Sequence, residues 1–220
     1  MKNKTIFFSF IVIASMVYSC KKDKEEPIPP IIEKAPNHSQ LSVGNYWIYQ
    51  HFEIDTSGNA RPTNRFDRCY VEKDTLINRR IYSKVYRPYI GSSLETFFLR
   101  DSMGCIVDSN GEIHFSALNF SKILNTTYGF AQENDTVCKI TRMMVDKNQA
   151  KTTPAGTFTT MNALLTYDMY PKYSNKGKTR YRDFLYADGV GVVSETLPFF
   201  VGNWNYTEAR LVRYHINKPD

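Results

Sequence analysis

The sequence predicts an all-β protein, a curved antiparallel sheet forming an incomplete barrel or a two-layer sandwich, with little helix. Three observations predict it. From Leu41 onward, apolar and polar residues alternate at period two in one segment after another. Tyr and Phe number 15 and 14 in 220 residues, and aromatic side chains suit a pleated, half-buried surface. Turn signals such as Asn110-Gly111 and Asp188-Gly189 separate the segments, and connections that short make neighbouring strands antiparallel.

The first strand lies in Gly44-Asn45-Tyr46-Trp47-Ile48-Tyr49-Gln50. Alternation puts Tyr46, Ile48, Phe52 and Ile54 on one face and Trp47, Tyr49, His51 and Glu53 on the other. Asp55 to Asn59 is a turn. Strands come next over 68–76, 79–87 and 94–101, the last two separated by a turn at Gly91-Ser92-Ser93. Asn110-Gly111 joins 104–108 to 112–115 as a hairpin, because both residues accept the positive φ of a two-residue turn. Residues 117–133, broken by Asn119, Asn125 and Gly129, read as a loop with at most a short helix. Thr136 to Asp146 is a further strand, and Pro154-Ala155-Gly156 interrupts the chain beyond it. The cleanest alternation starts at Thr159, where Thr159, Met161, Ala163, Leu165, Tyr167 and Met169 share a buried face. Turns at 174–177 and 188–189 lead into strands 179–187 and 190–197, and after a loop at 198–205 the last strand spans 206–216. The count is about ten strands.

Ahead of the sheet, residues 1–19 have the layout of a secretory signal. Lys2 and Lys4 precede an apolar run from Thr5 to Tyr18, which is shorter than the roughly 20 residues a spanning helix needs. Val17-Tyr18-Ser19-Cys20 resembles the lipobox of bacterial lipoproteins, with Tyr18 where a small residue is commoner. That resemblance implies cleavage before Cys20 and acylation of its sulfur, so that fatty chains hold the protein to a membrane. Residues 20–40 then make a lipidated cysteine and flexible tether, charged over 21–26 and stiffened by Pro27, Pro29, Pro30 and Pro36. Residues 41–220 make a single β-domain. The mixed charges after Cys20 resemble the signals of Bacteroidota-type surface lipoproteins, which implies the bacterial outer membrane, at the cell surface in preference to the periplasmic face.

Gly44-Asn45-Tyr46-Trp47-Ile48-Tyr49, Pro154-Ala155-Gly156-Thr157-Phe158 and Tyr186-Ala187-Asp188-Gly189-Val190-Gly191-Val192-Val193 occur in that order. Together they resemble envelope lipoproteins of uncharacterised function with TapB-like and LolA/LolB-like incomplete barrels. The resemblance implies a half-open barrel with an apolar concave face, and no chemistry.

The residues exclude several function classes. Lys and Arg number 28 against 22 Asp and Glu, a mild excess with no recognition-helix pattern, so nucleic acid is not an expected partner. Gly189 to Ser194 fails as a dinucleotide fingerprint, since Ser194 stands at the last glycine position and no helix succeeds it to receive a phosphate. No Gly-x-Ser-x-Gly elbow occurs. His38, assigned to the tether, and His51, His114 and His215 on strands are isolated, so neither metal nor cofactor is expected. With Cys20 acylated, Cys69, Cys105 and Cys138 read as buried thiols, Cys105 and Cys138 being the first candidates for a disulfide.

The expected function is a noncatalytic, lipid-anchored binding module whose partner is a lipid, glycan or envelope protein. A hydrophobic ligand would face Trp47, Tyr49, Met161 and Tyr167 and need a cavity of roughly 300 Å³ or more. The alternative is surface recognition of glycan or protein through clustered exposed aromatics. A hydrolase is the third reading, requiring a cleft with two carboxylates or a histidine with a polar partner. Residues 172–182 hold five positive residues and two tyrosines without an acid. They read either as an anion site using Lys176, Lys178, Arg180 and Arg182, or as a solvated hairpin tip.

Overall fold

The computed structural model describes residues 37–88, 94–131, 135–175, 177–198 and 206–217. Residues 1–36 with Cys20, the turn at 91–93, Lys176 and the loop at 199–205 lie outside them. The strands are β1 (Tyr46–Ile54), β2 (Ala60–Ile77), β3 (Arg80–Pro88), β4 (Leu94–Ser102), β5 (Cys105–Asp108), β6 (Ile113–Ser116), β7 (Ile123–Phe130), β8 (Thr136–Thr153), β9 (Gly156–Met169), β10 (Thr179–Ala187), β11 (Gly191–Pro198) and β12 (Tyr206–His215).

They form one sheet of 12 strands in the order β6-β5-β4-β3-β2-β1-β12-β11-β10-β9-β8-β7. Sequence neighbours pair antiparallel throughout except at β6 and β7. The first and last strands also pair, Tyr46 opposite His215 and Ile54 opposite Tyr206. The result is a meander curled into a nearly closed barrel, with one unsealed seam between β6 and β7. At that seam the connecting segment is pinned to β8, Ser121 N donating to Met144 O at 3.0 Å.

Twelve strands replace the expected ten or so, chiefly because 123–130 is a strand and no loop or helix. β7 pairs with β8 alone, and its apolar Ile123, Tyr128 and Phe130 are exposed, so the usual signature of an apolar inward face is missing. β2 and β8 each run 18 residues, well beyond their expected spans. Both contain register shifts, at Val71/Lys73 and between Met144 and Gln149, and each bulge flips the alternation that marks a continuous strand.

Two groups of side chains fill the interior. One gathers Phe115, Met144, Leu165, Tyr167, Phe184 and Tyr186; the other gathers Trp47, Tyr49, Val71, Val85, Val193 and Leu211. The described chain opens at Asn37, and His38, Ser39 and Gln40 are buried where a solvated tether was expected. Asn37 N donates to Asp188 Oδ1 at 2.7 Å and Asn37 O accepts from Gly189 N, which ties this segment to the β10–β11 turn. Ser39 Oγ lies 2.9 Å from Asp101 Oδ2 on β4, and Leu41 O accepts from Ser83 Oγ on β3. The segment therefore crosses one end of the barrel and forms its floor.

Among the described residues Cys69, Cys105 and Cys138 are free thiols, in line with the reading as thiols, and the candidate pair Cys105 and Cys138 is not bonded. Cys105 Sγ lies 3.4 Å from Ser116 Oγ on β6, whereas Cys138, opposite Gly129 and Met169, packs into the core on the other side of the seam.

Candidate functional site

Strand register sets three guanidinium groups on the concave face. Arg142 of β8 and Arg182 of β10 both pair with Leu165 of β9, so all three occupy one row across neighbouring strands and point to one side. Phe184, two residues beyond Arg182, lies on that side as well. Arg87 enters from the opposite wall, two residues beyond the buried Val85 on β3. The three guanidinium carbons stand 5.2 Å (Arg87), 5.7 Å (Arg142) and 4.8 Å (Arg182) from the centre of the Phe184 ring. Each is within cation–π reach.

One buried carboxylate answers two of these charges. Glu195 of β11 accepts from Arg87 through one oxygen and from Arg182 Nε, at 2.9 Å, through the other. Burial pushes the Glu195 carboxyl up, but Arg87 and Arg182 outweigh it and hold the acid below its ordinary range. Arg142 differs. Its Nη1 donates to the main-chain oxygen of His114 at 2.9 Å, its Nε is shut off from solvent without an acceptor, and among the described residues it forms no ion pair. Burial lowers its pKa, the direction expected for a sheltered cation.

Beside these groups lies a cavity of about 220 Å³. Leu41, Trp47, Val85, Leu99, Ile106 and Val192 supply apolar wall, while Arg87, Arg142, Arg182 and His114 supply the polar part. Two aromatic residues of the wall have their polar ends satisfied by backbone. Trp47 Nε1 donates to Val190 O at 2.6 Å and Tyr49 Oη donates to Val192 O at 2.8 Å. Gly191 sits at φ +92°, where a side chain would strain the backbone, and a Cβ there would make only ordinary contact with the indole, 3.5 Å from Trp47 Cζ2.

The titratable groups nearby are quiet at neutral pH. Burial, assisted by Arg142, pulls His114 down to about 4, so its imidazole is neutral. Its Nε2 lies 3.2 Å from Asp108 Oδ2, and among the described residues no hydroxyl or thiol hydrogen-bonds to it. Cys69, on the cavity wall, is pushed up to about 11 by burial and stays protonated. Asp108, Glu112 and His114 have ligand atoms within 4.8 Å of one another. Asp108 Oδ1 is engaged by the amides of Asn110 and Glu112, and Glu112 by Asn125, so these acids are accounted for as turn residues.

Of the ligand-facing residues expected from sequence, Trp47 and Tyr49 line this cavity. Met161 and Tyr167 instead pack into the core cluster around Ala163 and Leu165, away from the cavity lining. The basic run divides. Lys178 is exposed, while Arg180 is buried and Arg182 turns inward to Glu195. Exposed aromatics such as Phe66, Tyr128, Phe130, Tyr181 and Tyr206 are spread over β2, β7, β10 and β12, while the rings that stack, Tyr46 on His215 and Tyr70 on Tyr86, involve half-buried tyrosines with Arg68 over Tyr46 and Tyr70. Sequence reading passed over Arg87, Arg142 and Glu195. The usable signal was a charge at an inward position of an alternating strand, as in Val85 and Arg87 or Arg182 and Phe184.

No family model matches this chain, and neither does any curated protein. Two crystal structures are similar to it. One is a candidate lipoprotein from Parabacteroides distasonis ATCC 8503, 13% identical, with a TM-score of 0.53 over 83% of this chain and 100% of that one. The other is a candidate exported protein with a YmcC-like fold from Bacteroides fragilis NCTC 9343, 14% identical, with a TM-score of 0.48 over 82% of this chain and 97% of that one. At such identity the first likeness is one of fold, a barrel of the kind seen in that Bacteroidota protein, and it does not single out TapB-like or LolA/LolB-like barrels.

Proposed function

We propose that this protein is a noncatalytic binding module of the bacterial envelope, tethered through an acylated Cys20, that holds a small, partly apolar ligand inside its barrel. The observation that carries the reading is the cavity of about 220 Å³ walled by Trp47, Leu99, Ile106 and Val192. It lies below the roughly 300 Å³ typical of drug-sized ligands, so the occupant is small. A protonated Cys69 and a neutral His114 without a bonded nucleophile favour binding over catalysis. The lipobox-like Val17-Tyr18-Ser19-Cys20 and the barrel shared with a candidate lipoprotein support the envelope setting.

Native mass spectrometry of the full-length protein extracted from membranes tests the binding. The expected result is a small-molecule adduct that Val192→Trp, which fills the cavity, abolishes. An adduct that persists in Val192→Trp, or a wild-type protein without one, overturns the reading. Cys20→Ser tests the tether: the protein should move from pelleted membranes to the soluble fraction, and unchanged pelleting defeats that part of the proposal.

A further inference from the structure

We propose that the cavity selects ligands with an acidic headgroup, carboxylate or phosphate, which Arg142 receives with Arg87 and Arg182 beside it while the apolar part lies against Trp47, Leu99 and Ile106. This rests on reading the cavity as a ligand site, and it names the class of ligand.

The argument is one of charge and geometry. Three guanidinium groups surround the Phe184 ring at 5.7 Å or less, and all three line the cavity. One carboxylate, Glu195, is shared between Arg87 and Arg182. The neighbouring acids are otherwise occupied: Asp108 serves turn amides and His114, and Glu112 accepts from Asn125. Glu95 is exposed at the cavity's edge, and neutral His114 adds no charge of its own. Arg142 is therefore left with a backbone carbonyl, an aromatic face, an attraction to Glu112 that falls short of an ion pair, and a solvent-excluded Nε that has no acceptor among the described residues.

A sheltered guanidinium with no carboxylate in hydrogen-bond contact is costly, and an acid placed against it recovers that cost through charge-assisted hydrogen bonds. The planar fork of arginine suits the paired oxygens of carboxylate and phosphate alike. Apolar wall and basic patch occur in the same small volume, so the ligand they fit together is an amphiphile with an acidic end.

The test is calorimetric titration of the lipidated protein in nanodiscs, against an empty-nanodisc blank, with hexanoate, hexyl phosphate and 1-hexanol. The expected result is that one or both acids bind at least about tenfold tighter than the alcohol, and which acid does so identifies the headgroup. In Arg142→Gln the preference should fall below about threefold, and Arg142→Lys, which keeps the charge but loses the planar fork, should retain only part of it. Should the three probes bind wild type within about threefold of one another, the acidic-headgroup inference fails while the cavity reading stands. Absence of binding by all three overturns both. A preference undiminished in Arg142→Gln removes Arg142 from the site. The wild-type comparison decides the headgroup even if both variants misfold.

Discussion

Arg87 on β3 and Glu195 on β11, four strands apart round the sheet, form an ion pair inside the barrel. The pair joins opposite walls, and Arg182 completes it from the neighbouring β10. Neither charge stands alone as long as the acid is present.

Replacing that acid should therefore cost more than replacing either base. Glu195→Gln removes the carboxylate that the two sheltered guanidiniums share, for which a loss of about 3–5 kcal/mol is expected. Arg87→Met leaves Glu195 still held by Arg182 and should cost clearly less. Urea denaturation at pH 7 of both variants checks the order, and equal losses would show that the carboxylate is not shared in solution.

Acid should weaken the protein before its carboxylates titrate. His114 drops from 6.5 to about 4 on folding, through burial first and Arg142 second. Between those values the native state binds fewer protons than the unfolded one, so the full contribution holds above about pH 6.5 and is lost as pH falls toward 4. The loss is on the order of 3 kcal/mol. His38, buried in the floor, shifts in the same direction. Glu195 and Glu208, both lowered on folding, lose their contributions only below about pH 4.5. Stability measured from pH 7 to 4.5 should thus fall in wild type and fall less in His114→Gln. Identical curves would refute the assignment.

The meander was legible because its local signals agree. Asn110-Gly111 and Asp188-Gly189 set hairpins, and the alternation through β1, β9 and β10 leaves little choice of structure. Closure was not legible, since the pairing of β1 with β12 joins residues some 160 positions apart and depends on accumulated twist. The seam strand β7 escaped notice because its polar run Asn125-Thr126-Thr127 pairs on one edge only and, Leu124 apart, its apolar Ile123, Tyr128 and Phe130 face outward. The site was half legible. Trp47 and Tyr49 stood out as aromatic, but arginine on a strand reads as surface until burial is known. Arg182 shows how this misleads, for it sits in a basic run and still points inward.

The edge strand carries a glycine whose reason is steric. Gly129 pairs with Cys138, and a Cβ at Gly129 would stand 2.9 Å from Cys138 Sγ. Gly129→Ala should destabilise by about 1–3 kcal/mol through overpacking. Cys138→Ala removes the obstructing sulfur, so Gly129→Ala introduced into that background should cost less than about 1 kcal/mol. A double-mutant cycle from urea melts measures the coupling, and additive losses would place the clash elsewhere.

Thiol chemistry should separate the three core and wall cysteines without any oxidation. Cys105 is half-buried, whereas Cys69 and Cys138 are buried and burial raises both thiols, Cys69 to about 11. At pH 8 only about one in a thousand Cys69 side chains is thiolate, and that small fraction is sheltered as well. Iodoacetamide applied to the native protein at pH 8, without reductant, should therefore modify Cys105 first and leave Cys69 and Cys138 untouched until urea opens the barrel. Peptide mapping gives the order directly. Cys69 reacting as fast as Cys105 would mean that the wall beneath Trp47 opens readily in solution, and a Cys105–Cys138 cross-linked peptide would mean that the seam closes far enough to bring β5 against β8.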